Sequence, residues 1–254
     1  MRITLLQRLG KASAGDFGAA LDGVLSNLKG ELSASTRLVG FSDNGWAKIE
    51  IDGEDCEILQ EIIARELGLA QTDLSQIETQ GNYSGIVRDA GADLEVDIGI
   101  EKPAPLSVNV SLKALRAQLC DGKPLSGKEI AEYYCLSAGS RATVRITRLE
   151  RSPRRLEGWL ADSQIELFSE RIGSRLDRVQ VFDCTRQRLE LALRRARLER
   201  DVISVESGSL TTHSVVCKLG TDAIGLIPRL GSMLRKSELK PFLPRRILAK
   251  CRQW

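Results

Sequence analysis

Residues 81–100, GNYSGIVRDAGADLEVDIGI, decide the fold. The first half of this stretch reads as a short strand that ends in a glycine turn. In the second half Leu94, Val96 and Ile98 alternate with polar residues, which indicates a second strand. The segments that follow, in chain order, are LSVNVSLKAL (106–115), LSGKEIAEYYCL (125–136), RATVRITRLE (141–150) and LEGWLAD (156–162). They read as strand, helix, strand and strand. Five short strands with an insertion between the third and the fourth predict a small β-barrel.

Two further modules flank the barrel segment. Residues 1–75 follow the order strand, helix, strand, strand, helix, with a hairpin turn at residues 43–45, and this order is compatible with a ferredoxin-like fold. Residues 162–254 read as a small α/β module in which AIGLIPRLG (223–231) is taken as a strand. We therefore predict an α+β, multi-domain chain divided into residues 1–75, 80–161 and 162–254.

Several motifs of the barrel segment carry a resemblance to known families. The runs G-x-x-x-G-x-V (81–87), V-D-I-G-I (96–100), S-L-K-A-L (111–115) and G-x-x-x-x-V-x-I-T (139–147) resemble an S1-type OB fold. The strings VDIGIEKPAPLSVNVSLKALRAQLCDGKPLSGKEI (96–130) and VVCKLGTDAIGLIPRLG (215–231) are similar to a family of uncharacterised archaeal proteins, known only as a domain of unknown function. That similarity covers most of residues 80–247. It implies an archaeal origin and a central S1-like OB barrel, and it brings no activity with it.

The composition excludes several classes of protein. No apolar run approaches the roughly 20 residues that cross a bilayer, and the amino-terminal residues read as a strand rather than a signal peptide. We therefore expect a cytoplasmic protein that makes no membrane contact. The six cysteines form no C-x-x-C pair and the chain has one histidine, so we expect neither a zinc site nor a disulfide framework.

The sequence shows no recognisable catalytic constellation. A nucleophile–base pair would need His213, which lies in a Thr-Thr-His-Ser run typical of a hydrogen-bonded or surface residue. Residues 220–222 fit a β-turn better than a phosphate-binding loop. The alternating carboxylates at Asp93, Glu95 and Asp97 lack the loop spacing of a calcium site. We expect no catalytic residue, metal, cofactor or small-molecule substrate, and thus no enzyme.

The charge distribution is strongly asymmetric. The net charge is +3, yet residues 1–140 hold 13 Lys+Arg against 21 Asp+Glu, whereas residues 141–254 hold 24 Lys+Arg against 13 Asp+Glu. Arginine supplies 20 of those 24 basic residues. An acidic front and an arginine-rich back make contact with phosphate plausible for the back half alone.

The candidate nucleic-acid-binding residues are cations of a hairpin, a helix and the carboxyl-terminal tail, together with one aromatic residue of the first barrel strand. They are Tyr83, Arg145, Arg148, Arg151, Arg154, Arg155, Arg186, Arg194, Arg195, Arg197, Lys240, Arg245 and Arg246. Guanidinium groups bind phosphate well, and aromatic rings stack on bases. Nucleic-acid contact is the favoured interpretation of the helical arginines of residues 186–200, and an acidic protein partner or plain solubility are its two alternatives.

These observations favour a non-enzymatic nucleic-acid-binding factor. RNA is the expected partner, within the translation or transcription machinery. The alternative is a protein–protein adaptor within a ribosome or RNA polymerase assembly, because OB barrels support either role. The RNA hypothesis requires the cations of the back half to converge on one surface.

Overall fold

The structure, a computed structural model, describes residues 1–152 and 154–251, with the side chain of Arg151 left out, and shows a mixed α+β chain. Its strands are β1 (Arg2–Arg8), β2 (Ala34–Phe41), β3 (Trp46–Gly53), β4 (Asn82–Ala90), β5 (Leu94–Ile100), β6 (Leu106–Val110), β7 (Arg141–Arg151), β8 (Arg154–Leu160), β9 (Arg178–Phe182), β10 (Val202–Ser207), β11 (His213–Cys217) and β12 (Glu238–Phe242). Its α-helices are α1 (Ala14–Lys29), α2 (Cys56–Glu66), α3 (Leu112–Leu119), α4 (Gly127–Tyr134), α5 (Asp162–Gly173), α6 (Arg186–Arg195), α7 (Ala223–Met233) and α8 (Pro244–Cys251).

The amino-terminal module is an antiparallel sheet in the order β1-β3-β2. Residues 68–70 pair with the free edge of β1, since the Leu6 amide donates to the Gly68 carbonyl at 2.9 Å and the Ala70 amide donates to the Thr4 carbonyl at 3.0 Å. An isolated bridge between Leu5 and Leu69 therefore extends this edge of the three-stranded sheet. The Ser13 side chain caps α1, whose apolar face packs on this sheet together with α2. The predicted order of elements in residues 1–75 is confirmed.

The central segment is a closed barrel in the order β4-β5-β6-β8-β7, with β7 pairing back to β4. The β6–β8 pair is parallel and the other pairs are antiparallel. Alternation turns apolar residues such as Val96, Val108 and Val144 into the barrel. Gly85 is required for closure, because a Cβ there would lie 2.3 Å from the Asp97 carbonyl oxygen. The predicted five-stranded barrel, with its OB-like order and its helical insertion, is confirmed.

The third module is a four-stranded antiparallel sheet in the order β10-β11-β9-β12, with α6 and α7 packed on one face. The strand prediction for residues 223–231 is wrong, because these residues form α7. The Asp222 carboxylate caps this helix by accepting from the Ile224 and Gly225 amides. Ala223, Leu226 and Leu230 then recur at helical spacing and face the sheet.

The core of the barrel extends beyond residue 161. Helices α5 and α8 pack on the barrel, so that Phe168, Ile172, Phe242 and Ile247 belong to the same apolar cluster as the inward barrel residues. Tyr134 of α4 lies edge-on to Phe168 with ring centroids 5.0 Å apart. The third module is thus joined to the barrel at both of its ends.

Within the described part of the chain, none of the helices combines the length and the apolar character that a membrane crossing needs. The six cysteines are all described and all free, and five of them are buried. Over residues 1–152 and 154–251, histidine, cysteine and carboxylate side chains form no group of three that could hold a metal ion.

Candidate nucleic-acid interface

The outer face of the β7–β8 hairpin carries an exposed tryptophan beside an arginine. Leu156, Gly158 and Leu160 of β8 point into the barrel, so the intervening Trp159 points outward, with 52% of its surface exposed. In the antiparallel register Trp159 lies directly opposite Arg145 of β7. Cross-strand neighbours on one face have Cβ atoms about 5 Å apart, so the two side chains leave the sheet from adjacent positions. We call the outward side chains of these two strands the β7–β8 face.

The arginines of the β7–β8 face are already in ion pairs. The Arg145 guanidinium lies 2.6 Å from the Asp162 carboxylate, and Arg155 lies 2.9 Å from Glu157. Arg148 pairs with Glu150 on the same strand. Exposed pairs of this kind contribute roughly 0–1 kcal/mol, so a phosphate group can compete for these guanidinium groups.

Arg151 and Arg154 are the two other cations of the hairpin. Arg154 is exposed and has no ion pair among the described residues. The Arg151 side chain lies outside the described part of the structure. The hairpin thus presents Arg145, Arg148, Arg154 and Arg155 among three carboxylates, a weakly cationic surface.

The exposed aromatic side chain of the barrel is Trp159 and not the expected Tyr83. Tyr83 is half-buried, and its hydroxyl accepts a hydrogen bond from the Glu78 amide at 2.9 Å while its ring covers Gly81. It therefore closes the loop before β4 instead of offering a free ring, which corrects the expectation for Tyr83. Trp159 was missed, although the alternation of LEGWLAD already placed it on the outer face.

Helix α6 is shorter than its arginine-rich sequence suggests. It ends at Arg195, and Arg197 follows in a left-handed conformation at φ 53°. Arg194, Arg195 and Arg197 are exposed and form no ion pair among the described residues, and we call these three the α6 cluster. The carbonyl groups at the end of a helix attract cations, so the α6 cluster also stabilises the helix end. Arg186, in the first turn, instead binds Glu190 at 2.8 Å.

The tail cations are held against the protein itself. Lys240 of β12 lies 2.9 Å from the Glu238 carboxylate. Arg246 of α8 lies 3.6 Å from Glu132 and covers the Tyr133 ring at 5.1 Å. Arg245 is exposed, with no ion pair within the described residues. The tail is therefore a set of packing contacts with α4 more than a free basic arm.

The candidate cations lie on two separately packed parts of the chain, and their convergence on one surface stays a prediction. The hairpin belongs to the barrel core, whereas α6 packs in the separate core of the third module. Arg141, at the start of β7, donates to the Gly208 carbonyl of the third module at 3.0 Å. The hairpin tip lies at the other end of this 11-residue strand, up to about 33 Å away.

Comparison with known proteins gives a match to a family model and likenesses to solved structures. Among curated proteins, no sequence matches the chain. A solved multidomain protein with nucleic acid binding domains from Streptococcus pneumoniae is similar, at 10% identity and a TM-score of 0.22, over 79% of this chain and 52% of that one. The chain thus spans about half the length of that protein, and at this TM-score we draw nothing from the likeness. The expected resemblance to a domain of unknown function is confirmed in one region, while the archaeal origin and the S1 type remain predictions. Residues 176–240, which span β9 to β12, match the DUF2110 C-terminal domain.

Proposed function

We propose that this protein is a non-enzymatic nucleic-acid-binding factor whose β7–β8 face holds single-stranded RNA. The observation that carries this proposal is the exposed indole of Trp159, directly across the strand pair from Arg145 on the outside of a closed barrel. A large exposed aromatic side chain has no packing role on its open side. Stacking of a base on such a ring contributes about 1–3 kcal/mol, and the neighbouring guanidinium can reach the phosphate that follows.

The charges around Trp159 suit a weak, salt-sensitive contact. The ion pairs of Arg145, Arg148 and Arg155 are exposed, so phosphate groups exchange with their carboxylates at little cost. Each phosphate that is neutralised releases condensed counterions, and affinity then falls with salt. In this proposal the α6 cluster makes a second, separate contact with the backbone.

An adaptor function is the second candidate, and the α6 cluster favours it. These arginines are unpaired among the described residues and have no exposed aromatic residue beside them on α6, so an acidic protein surface suits them as well as a phosphate backbone does. A ribosome or an RNA polymerase would be the assembly. Co-purification of such an assembly after nuclease treatment supports the adaptor, and loss of every partner on that treatment counts against it.

The test of RNA binding compares two triple variants of the full chain. Arg145, Arg148 and Arg155 are changed to Gln in the first, and the control changes Arg2, Arg37 and Arg65, which are also exposed and ion-paired. Binding of a single-stranded RNA is measured between 50 and 200 mM salt, on the order of the range over which such contacts weaken. The salt slope is the change in log affinity with log salt concentration, and each phosphate contact contributes roughly 0.7 to it. We expect it to be about two units smaller in the first variant and unchanged in the control. Equal losses in both variants would contradict the proposed surface.

A further inference from the structure

A polar cavity of about 170 Å³ lies where the barrel, α5 and the sheet of the third module meet. Its floor is apolar, with Phe168 and Phe182 among the residues that line it. Its walls are polar, and they include Arg141 of β7, Arg171 of α5 and Gln180 of β9. Two guanidinium groups thus face a space that the surrounding side chains leave open.

Arg141 is a partly buried cation that has no carboxylate partner among the described residues. Its one hydrogen bond runs from Nη1 to the Gly208 carbonyl oxygen at 3.0 Å, and it forms no ion pair among the described residues. Burial lowers the pKa of Arg141 from its usual value, and no acidic group offsets that effect. The side chain also lies against Gly68, because a Cβ there would be 3.2 Å from Arg141 Nη2. Arg141 therefore stands where all three modules come together.

The cation opposite is only partly neutralised. Arg171 and Arg178 share one carboxylate, that of Glu206, at 3.7 and 2.7 Å. The Nε atoms of both arginines are buried and have no hydrogen-bond partner among the described residues. Burial and the charge of Arg178 lower the pKa of Arg171. Arg141 and Arg171 thus line the cavity, while Arg178 and Glu206, which do not line it, neutralise Arg171 only in part.

Other groups at the cavity are hydrogen-bond donors that suit an anion. The Ser140 hydroxyl is buried and has no partner in the described part of the chain. The Cys135 thiol at the cavity wall already donates to the Pro241 carbonyl oxygen at 3.6 Å; it is neutral, because burial raises its pKa to about 12, and so does not repel an anion. A buried charge without a partner costs several kcal/mol, and a bound anion removes that cost.

The cavity joins a larger cleft of about 620 Å³. Arg141, Gly208 and His213 line both spaces, and the first turn of α6 lines the outer one. The Thr185 side chain makes no capping hydrogen bond to this turn, so the amide groups there remain free of a side-chain cap. Glu66 and Glu190 also line the outer cleft, which disfavours further phosphate groups outside the inner cavity.

We propose that Arg141 and Arg171 bind a phosphate monoester in the inner cavity, with the rest of the ligand in the outer cleft. The monoester is carried either by a mononucleotide or by the phosphorylated end of a nucleic-acid strand. This site is separate from the β7–β8 face and is independent of RNA binding there.

The experiment measures binding to the full chain by calorimetry with three probes: inorganic phosphate, adenosine 5′-monophosphate, and a short RNA with or without a 5′-phosphate. We expect phosphate to bind, and Arg141→Gln to weaken that binding at least tenfold. The control Arg37→Gln, an exposed arginine of the first module, should leave it unchanged. Tighter binding of the mononucleotide than of inorganic phosphate identifies a free nucleotide, and tighter binding of the 5′-phosphorylated RNA than of its 5′-hydroxyl form identifies a strand end.

Thermal unfolding separates a binding role from a structural one. Without ligand, Arg141→Gln should melt at the same temperature as the unchanged chain or higher, because it removes an unpaired buried charge. If Arg141→Gln folds and melts lower than the unchanged chain, yet binds phosphate as tightly, Arg141 has a structural role alone and the proposal is overturned. If none of the probes binds at millimolar concentration, the proposal is also overturned. Should Arg141→Gln fail to fold, Arg141→Lys and Arg171→Gln carry the same comparison. None of these variants should alter binding of 5′-hydroxyl RNA. The outcome of this test is therefore independent of the proposed function.

Discussion

Truncation of Trp159 to alanine should weaken RNA binding and leave the protein folded. The side chain is 52% exposed, so roughly half of an indole surface of about 200 Å² is buried, and its loss costs at most about 2.5 kcal/mol of unfolding free energy. Loss of one stacked base costs about 1–3 kcal/mol of binding, which corresponds to a rise in Kd of about 5- to 150-fold. Trp159→Phe keeps an aromatic face and should recover most of the affinity.

The indole itself reports on the contact. Trp46 is fully buried and should not respond to RNA, while Trp254 lies outside the described residues and is changed to Phe in every variant. We expect RNA to quench the fluorescence of the Trp254→Phe chain, and Trp159→Ala to abolish that quenching. Ile203→Ala is the matched control, since Ile203 is 54% exposed on β10 of the third module. The proposal is refuted if folded Trp159→Ala binds within twofold of its parent, or if quenching persists without the indole.

Three further predictions follow from other parts of the molecule. Changing the three arginines of the α6 cluster to Gln should lower the salt slope of RNA binding by about two units, and an unchanged slope would leave the cluster without a role in binding. Burial lowers the pKa of His213, so folding keeps the imidazole neutral, and the free energy of unfolding should fall as the pH drops below about 6.5. Urea unfolding at pH 7.5 and 5.5 measures this fall, which should be smaller in His213→Gln. Gly85→Ala places a Cβ 2.3 Å from a backbone carbonyl oxygen and should destabilise the barrel by about 2 kcal/mol or more, as overpacking of a core does. Gly23→Ala has open space around its Cβ and should leave the stability unchanged.

The sequence was informative where local pattern decides structure. Strict alternation in β5 and a capping box at Ser126 place a strand and a helix correctly. The stretch 223–231 misled because a short apolar run fits a strand or a buried helix equally well. The Asp222 cap, which settles the matter in favour of α7, was interpreted as part of a turn.

The candidate site was harder to predict because it depends on contacts between distant residues. Whether Arg148 or Arg194 is free depends on a carboxylate within reach, and only Arg148 has one among the described residues. Arg141 looked like any other strand arginine, since its burial comes from Gly68 and Gly208 of the two neighbouring modules. A single sequence contains no signal for such a junction. The outward position of Trp159, in contrast, could have been read from alternation alone.

The interleaving of the chain's last helix with the barrel has a consequence for how the protein comes apart. Phe242, Ile247 and Cys251 fill space inside a cluster whose other buried members lie within residues 74–172. A fragment that stops at residue 161 would expose that cluster to water and would not report on an intact barrel. Heat or urea should therefore melt the barrel and the DUF2110-like region together in one cooperative step, and limited proteolysis should yield no stable piece that ends between them.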